Sequence, residues 1–152
     1  MKTAVNVFAF FFSAAMLVAC ASAESEVLKQ ARTIQDGIMK QKNNLDSTVD
    51  MTIKELNGKI TVMSGDSLAM QDSTNIALFS EMQTKVSRLS ELKSKLNDWA
   101  SSTKMLPTVE DLAKGVDNPF GEEANDQDIL KGIQDSQSSF SDLKSEIESE
   151  MQ

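Results

Sequence analysis

Few residues in this sequence could do chemistry. Serine stands three positions ahead of lysine at Ser90/Lys93, Ser101/Lys104 and Ser141/Lys144. On a helix that spacing sets an amine one turn from a hydroxyl, where it could take the proton of a serine nucleophile. The S-D-N and K-T-G sequences that complete such a site in acyl-transfer enzymes are missing, and a helical chain rich in Ser and Lys generates the spacing by chance. These pairs read as solvated helix faces. The chain has no His, no Tyr and a single Cys, Cys20, so the usual metal ligand, proton shuttle and thiol nucleophile are absent. It also has no G-x-G-x-x-G or Walker-type phosphate loop. The expectation is a protein that is not an enzyme and carries no metal or cofactor.

Carboxylates and sulfurs offer the remaining candidates. Asp117, Glu122, Glu123, Asp126 and Asp128 could be read as an oxygen cage for calcium. Placing Gly121 at the glycine of an EF-hand loop puts Val116 and Phe120 where ligands belong, which excludes that loop. A solvated loop leading into a capped helix is the plainer reading. Met39, Met51, Met63, Met70, Met82, Met105 and Met151 have the softness of adaptable groove linings or soft-metal ligands, but they are scattered without a close M-x-M cluster. Core packing and surface exposure account for most of them. Trp99 falls on or beside an apolar stripe and reads as a core anchor. Glu146, Glu148 and Glu150 crowd a helix C-terminus, where negative charge opposes the macrodipole. That end should fray, or else meet a partner with a basic groove.

The first residues have the layout of an export signal. Met1-Lys2-Thr3 is a short positive start, and Ala4 to Ala19 is apolar apart from Asn6 and Ser13. The run is short for a membrane span, which takes about 20 residues. Leu17-Val18-Ala19-Cys20 resembles the lipobox of bacterial lipoproteins. The resemblance covers these four residues and the run before them and says nothing of the mature domain. It implies cleavage before Cys20, lipidation of the Cys20 thiol and a membrane anchor there, with 1–19 as the signal peptide. Ala21-Ser22-Ala23 is a competing A-x-A site, which would release a soluble chain starting at Glu24 with 1–23 removed. A eukaryotic leader in which Cys20 is an apolar filler fits that second route. One cysteine cannot form an internal disulfide, and secreted domains of this size usually carry paired ones, which favours the lipoprotein reading.

The elements that follow carry apolar residues at steps of three and four. Val27, Ala31, Ile34, Ile38, Leu45, Val49, Ile53, Leu56, Ile60 and Met63 predict a helix over about 25–63, with Gln41 filling one turn. Ser64-Gly65-Asp66 predicts a turn, Gly65 taking the left-handed conformation and Asp or Ser capping the next helix. Leu68, Ile76, Phe79, Met82, Val86, Leu89, Leu92, Leu96 and Trp99 predict a return helix over about 72–104, stopped ahead of Pro107. Thr108 caps a short helix over 109–114 that Gly115 ends, and Pro119 and Gly121 mark a loop. Asp126 is expected to cap a last helix over 126–150, with Ile129, Leu130, Ile133, Phe140, Leu143, Ile147 and Met151 on its apolar side.

Residues 20–152 are thus expected to form one all-α domain. The simplest architecture is an antiparallel three-helix bundle, or helical hairpin coiled coil, with a short connecting helix. The second long helix is basic, with five bases and three acids from Ser80 to Lys104, while the last has seven acids and two bases from Asp126, so these two should be neighbours. The net charge of −8 argues against nucleic acid, whose phosphates need clustered Lys and Arg. What remains is a membrane-anchored, acidic structural or protein-binding module of a cell envelope. The alternative is a soluble secreted helical protein of a eukaryote that binds lipid or a partner. Association of two hairpins into an oligomer is compatible with either.

Overall fold

The computed structural model describes residues 24–152 except 67, 69, 70, 109, 112, 113 and 122. The expected signal peptide, the Leu17-Val18-Ala19-Cys20 sequence read as a lipobox and the lipidation expected at Cys20 therefore lie outside the described residues. Three α-helices form, α1 (Glu26–Gly65), α2 (Ser73–Ser102) and α3 (Asp126–Met151), and there is no strand among the described residues. Each helix packs against the other two.

Local chemistry sets the helix ends. Ser25 caps α1 by accepting from the Leu28 amide at 3.1 Å, while its hydroxyl donates to the Asp126 carboxylate at the start of α3. Glu24, paired with Arg32, adds a second tie at this end, and the same guanidinium donates to the Pro107 carbonyl at 2.7 Å. Gly65 does not take the left-handed conformation expected of it. It remains helical, and the extended Asp66 closes α1 by donating a hydrogen bond from its backbone N–H to the Met63 carbonyl. Left-handed backbone occurs instead at Gly115 (φ 81°) and Gly121 (φ 95°), in the loop after α2.

The cap of α2 is Asp72, which accepts from the Thr74 amide at 2.7 Å. The expected cap of α3 is also corrected: Asn125 fills that place and accepts from the Asp128 amide at 3.0 Å, because Asp126 is already engaged by Ser25. The short connecting helix falls partly on residues outside the description. In its described part, Thr108 and Asp111 cap one another reciprocally, the Lys114 amide bonds the Glu110 carbonyl, and the Val116 amide bonds the Asp111 carbonyl past Gly115.

The core has two parts. Ile38, Leu45, Val49, Leu89, Leu92, Leu96, Phe140 and Ile147 form one cluster among the three helices. Trp99 packs against it with its ring 5.1 Å from Phe140 and donates to Ser139 at 3.0 Å. Ala31, Ile129, Leu130, Ile133 and the loop residue Leu106 form the second. The Gln35 side chain holds Leu106 in place by accepting from its amide at 2.7 Å and donating to its carbonyl at 3.0 Å. Phe120 joins this cluster by lying over Gly132. Gln41 and Gln137 are exposed.

Ion pairs link the helices in register. Lys93 on α2 sits between Asp46 and Asp50 of α1, and Arg88 and Lys95 reach Glu150 and Glu146 of α3 at 3.4 and 3.6 Å. The hydrogen bond to Asp50, with the charges of Asp46 and Asp50, holds the Lys93 ammonium pKa above its ordinary value against some desolvation. Gln41 accepts from Lys144 at 3.2 Å, and Thr52 lies against Met151. The basic helix and the acidic last helix are neighbours, and α1 packs against both.

Candidate functional site

The three Ser/Lys pairs do not form dyads in the structure. Ser90 donates to the Val86 carbonyl at 2.8 Å while Lys93 points to α1, and Ser101 donates to the Asn97 carbonyl at 2.8 Å while Lys104 lies 6.0 Å from the centre of the Phe120 ring. In the third pair Lys144 donates to Gln41 and stands 3.7 Å from Glu148. Each lysine is directed at another partner.

The acidic loop is likewise drawn into local structure. Asp126 receives the Ser25 hydroxyl, Asp128 accepts from the Asn125 side chain at 2.6 Å, and Asp117 and Glu123 are exposed. Glu122 lies outside the described residues. Among the described residues no group of three or more Asp, Glu, His or Cys is placed to hold a metal ion. The bond from the Thr108 hydroxyl, with one from its amide, lowers the Asp111 pKa. This serves the cap.

The feature that sequence reading did not find lies at the far end of the bundle. Helix α3 ends where Met151 meets Thr52 and Glu150 meets Arg88, yet α1 continues to Gly65 and α2 begins back at Ser73. Helical steps from Thr52 along the face that met α3 pass Glu55, Lys59 and Val62. Steps back from Arg88 on α2 pass Lys85, Glu81 and Leu78. Between these rows lies a groove of about 480 Å³ whose lining includes Gly58, Val62, Met63, Leu78 and Met82. Val62 is 75% exposed and Leu78 48% exposed, while Met82 forms the buried floor. Gly58 has open space where a Cβ would be, so none of the described residues fills the groove at that point. On its rim Glu55 bonds Lys59 at 2.7 Å, which lowers the Glu55 pKa.

The same cause exposes two residues expected in the core. Leu68 is 77% exposed and Ile76 47% exposed, because both belong to the tip that α3 does not reach. Met63 and Met82 line the groove, Met51 is exposed, Met39, Met105 and Met151 are half-buried, and Met70 lies outside the described residues. The signal for the groove was present in the sequence as a mismatch in length, since the first two helices of 40 and 30 residues outrun a last one of 26.

Compared with family models, with curated proteins and with solved structures, the chain matches none. Among the described residues no helix is long and apolar enough to cross a membrane.

Proposed function

We propose that this protein is a non-catalytic lipoprotein of a bacterial cell envelope, exported by its leader, cut before Cys20 and held at a membrane by lipid on that thiol. Its bundle then acts as a structural or protein-binding module. The observation that carries this reading is the position of the chain's single cysteine, at the end of the Leu17-Val18-Ala19-Cys20 sequence that closes the apolar run. Several acyl chains on one residue anchor stably, since each buried CH₂ contributes about 0.8 kcal/mol. A domain of net negative charge has no such hold on anionic lipid.

An antiparallel arrangement, with α1 and α2 in opposite senses and α3 running beside α1, belongs to the same proposal. It is supported by the pairs Gln35–Leu106 and Asp50–Lys93, by Trp99–Ser139 and Arg88–Glu150, and by Ser25–Asp126 and Thr52–Met151. Only Ala21, Ser22 and Ala23 separate Cys20 from Glu24, a reach of at most about 14 Å. The anchor would sit at the Ser25 and Asp126 end, and the 40 residues of α1 would carry the hairpin tip about 60 Å away.

Cys20→Ser tests the anchor. In a bacterial host labelled with radioactive palmitate, the parent should take up label and fractionate with membranes, and the variant should take up none. Equal solubility of both, without label in either, would remove the anchor. A second reading, a soluble secreted protein beginning at Glu24, draws support from the Ala21-Ser22-Ala23 site. The Glu24–Arg32 pair and the Ser25 cap, both immediately downstream of that cut, are also compatible with it. Equal solubility without label, with both chains beginning at Glu24, would establish it.

A further inference from the structure

The groove beyond α3 continues an interface the fold already uses. From Asp126 to Met151 the space between α1 and α2 is filled by a helix, and past Thr52 and Arg88 the same two faces run on with no helix over them among the described residues. We propose that the groove receives an amphipathic helix of a partner protein, about 14 residues long, apolar on one face and basic at the end that meets the C-terminus of α3. The proposal rests on the protein-binding role given above and names its partner's chemistry.

Three observations set that chemistry. Residues 53–65 of α1 rise about 20 Å, the length of 13 to 14 helical residues. The lining is aliphatic and sulfur-bearing, with Val62 and Leu78 as exposed walls and Gly58 allowing close approach of a backbone. Met63 and Met82 supply a surface that adapts to different side chains.

The charge is one-sided at the ends. Helix α3 finishes beside the groove with the negative partial charge of a helix C-terminus and no basic residue in its last turn, whereas at the other end the C-terminus of α1 stands next to the oppositely charged N-terminus of α2. Glu146, Glu148 and Glu150 stand at the end of α3, each 3.4 to 3.7 Å from a single exposed or half-buried base, and of the two lysines on the flanking rows Lys59 is paired with Glu55 while Lys85 leaves one positive charge on the α2 side. A basic helix end answers this field, and the net charge of −8 steers such a partner in. A second copy fits less well. Its own hairpin tip, inserted in the opposite sense, would bring Asp66 and Asp72 against the glutamates of α3.

A fluorescent 14-residue Leu/Lys amphipathic peptide, titrated against the processed protein by anisotropy, tests the proposal. Saturable one-to-one binding is expected, at least tenfold weaker for Val62→Ser/Leu78→Ser and unchanged for Val116→Ser, an exposed apolar position in the loop after α2. A Leu/Glu peptide with the same apolar face should bind at least tenfold more weakly than the Leu/Lys one. Neutral serines leave the charge untouched, so equal binding by the parent and the double variant would overturn the groove. Equal binding of the two peptides would overturn the basic end. Concentration-dependent dimers lost in the double variant would assign the face to a second copy, and vesicle binding by Cys20→Ser protein, lost likewise, would assign it to lipid. Either result overturns the proposal, while acylation is read separately by palmitate labelling. Unchanged circular dichroism melts of the double variant keep misfolding out of the comparison.

Discussion

Gly132 sits inside α3 for a reason that a substitution can measure. A Cβ built there lies 2.7 Å from Cε1 of Phe120, with two further ring carbons at 3.5 and 3.7 Å. Ordinary carbon contacts are about 3.5 to 4.0 Å, so Gly132→Ala must push the ring back by about 1 Å. Such overpacking costs about 1 to 3 kcal/mol. Against this, Ala gains about 1 kcal/mol over Gly in a helix interior. Phe120 is a half-buried loop residue and can retreat in part, which favours the lower end of the cost. The expected net effect of Gly132→Ala is a loss of about 0 to 2 kcal/mol. In a Phe120→Ala background the obstacle is gone, and the same change should stabilise by about 1 kcal/mol, a coupling of about 1 to 3 kcal/mol between the two sites. Urea unfolding followed by helical circular dichroism reads both numbers. Equal stabilisation in the two backgrounds would refute the packing of Phe120 on Gly132.

Leu89 is fully buried between the helices, so Leu89→Ala should cost about 2 to 5 kcal/mol, whereas Ser87→Ala on the exposed face should change stability by less than about 0.5 kcal/mol. Equal melting temperatures for parent and Leu89→Ala would take Leu89 out of the core. The raised pKa of Lys93 implies a contribution present in full below its ordinary value of 10.5 and lost as pH climbs through the folded value. Melting temperature should therefore fall more steeply above pH 10.5 in the parent than in Lys93→Met, and parallel alkaline limbs would contradict the ion-pair account. Chelator and reductant should leave the thermal melt unchanged, since no His exists and one Cys cannot form an internal disulfide. A clear drop with EDTA would return attention to the carboxylates from Asp117 to Asp128.

The helical class was legible because burial leaves a period. Ala31, Ile38, Leu45 and Val49, or Leu89, Leu92 and Leu96, recur at steps of three, four or their sum of seven, and these are among the residues found buried. The same pattern at Leu68 and Ile76 misled, because amphipathicity marks an apolar face without saying whether a neighbour is long enough to cover it. Coverage is a tertiary fact, set here by where α3 stops. Capping failed in a related way: Asn125 and Asp126 are both competent caps, and the choice between them depends on Ser25, 101 positions away in sequence. Leu106 carried no periodic signal, since a loop residue becomes core only when something such as the Gln35 amide ties its backbone down. Gly65 looked like a helix stop, but a left-handed residue is needed only where the chain must reverse tightly, and α1 closes on an extended Asp66 instead.

The fate of Cys20 separates an anchored protein from a soluble one, and the intact mass of the mature protein from its natural host reads it directly. An N-terminal Cys20 carrying diacylglycerol is the predicted result, placing the bundle on a membrane with its hairpin tip outward. An unmodified chain beginning at Glu24 would contradict it and leave a soluble secreted protein.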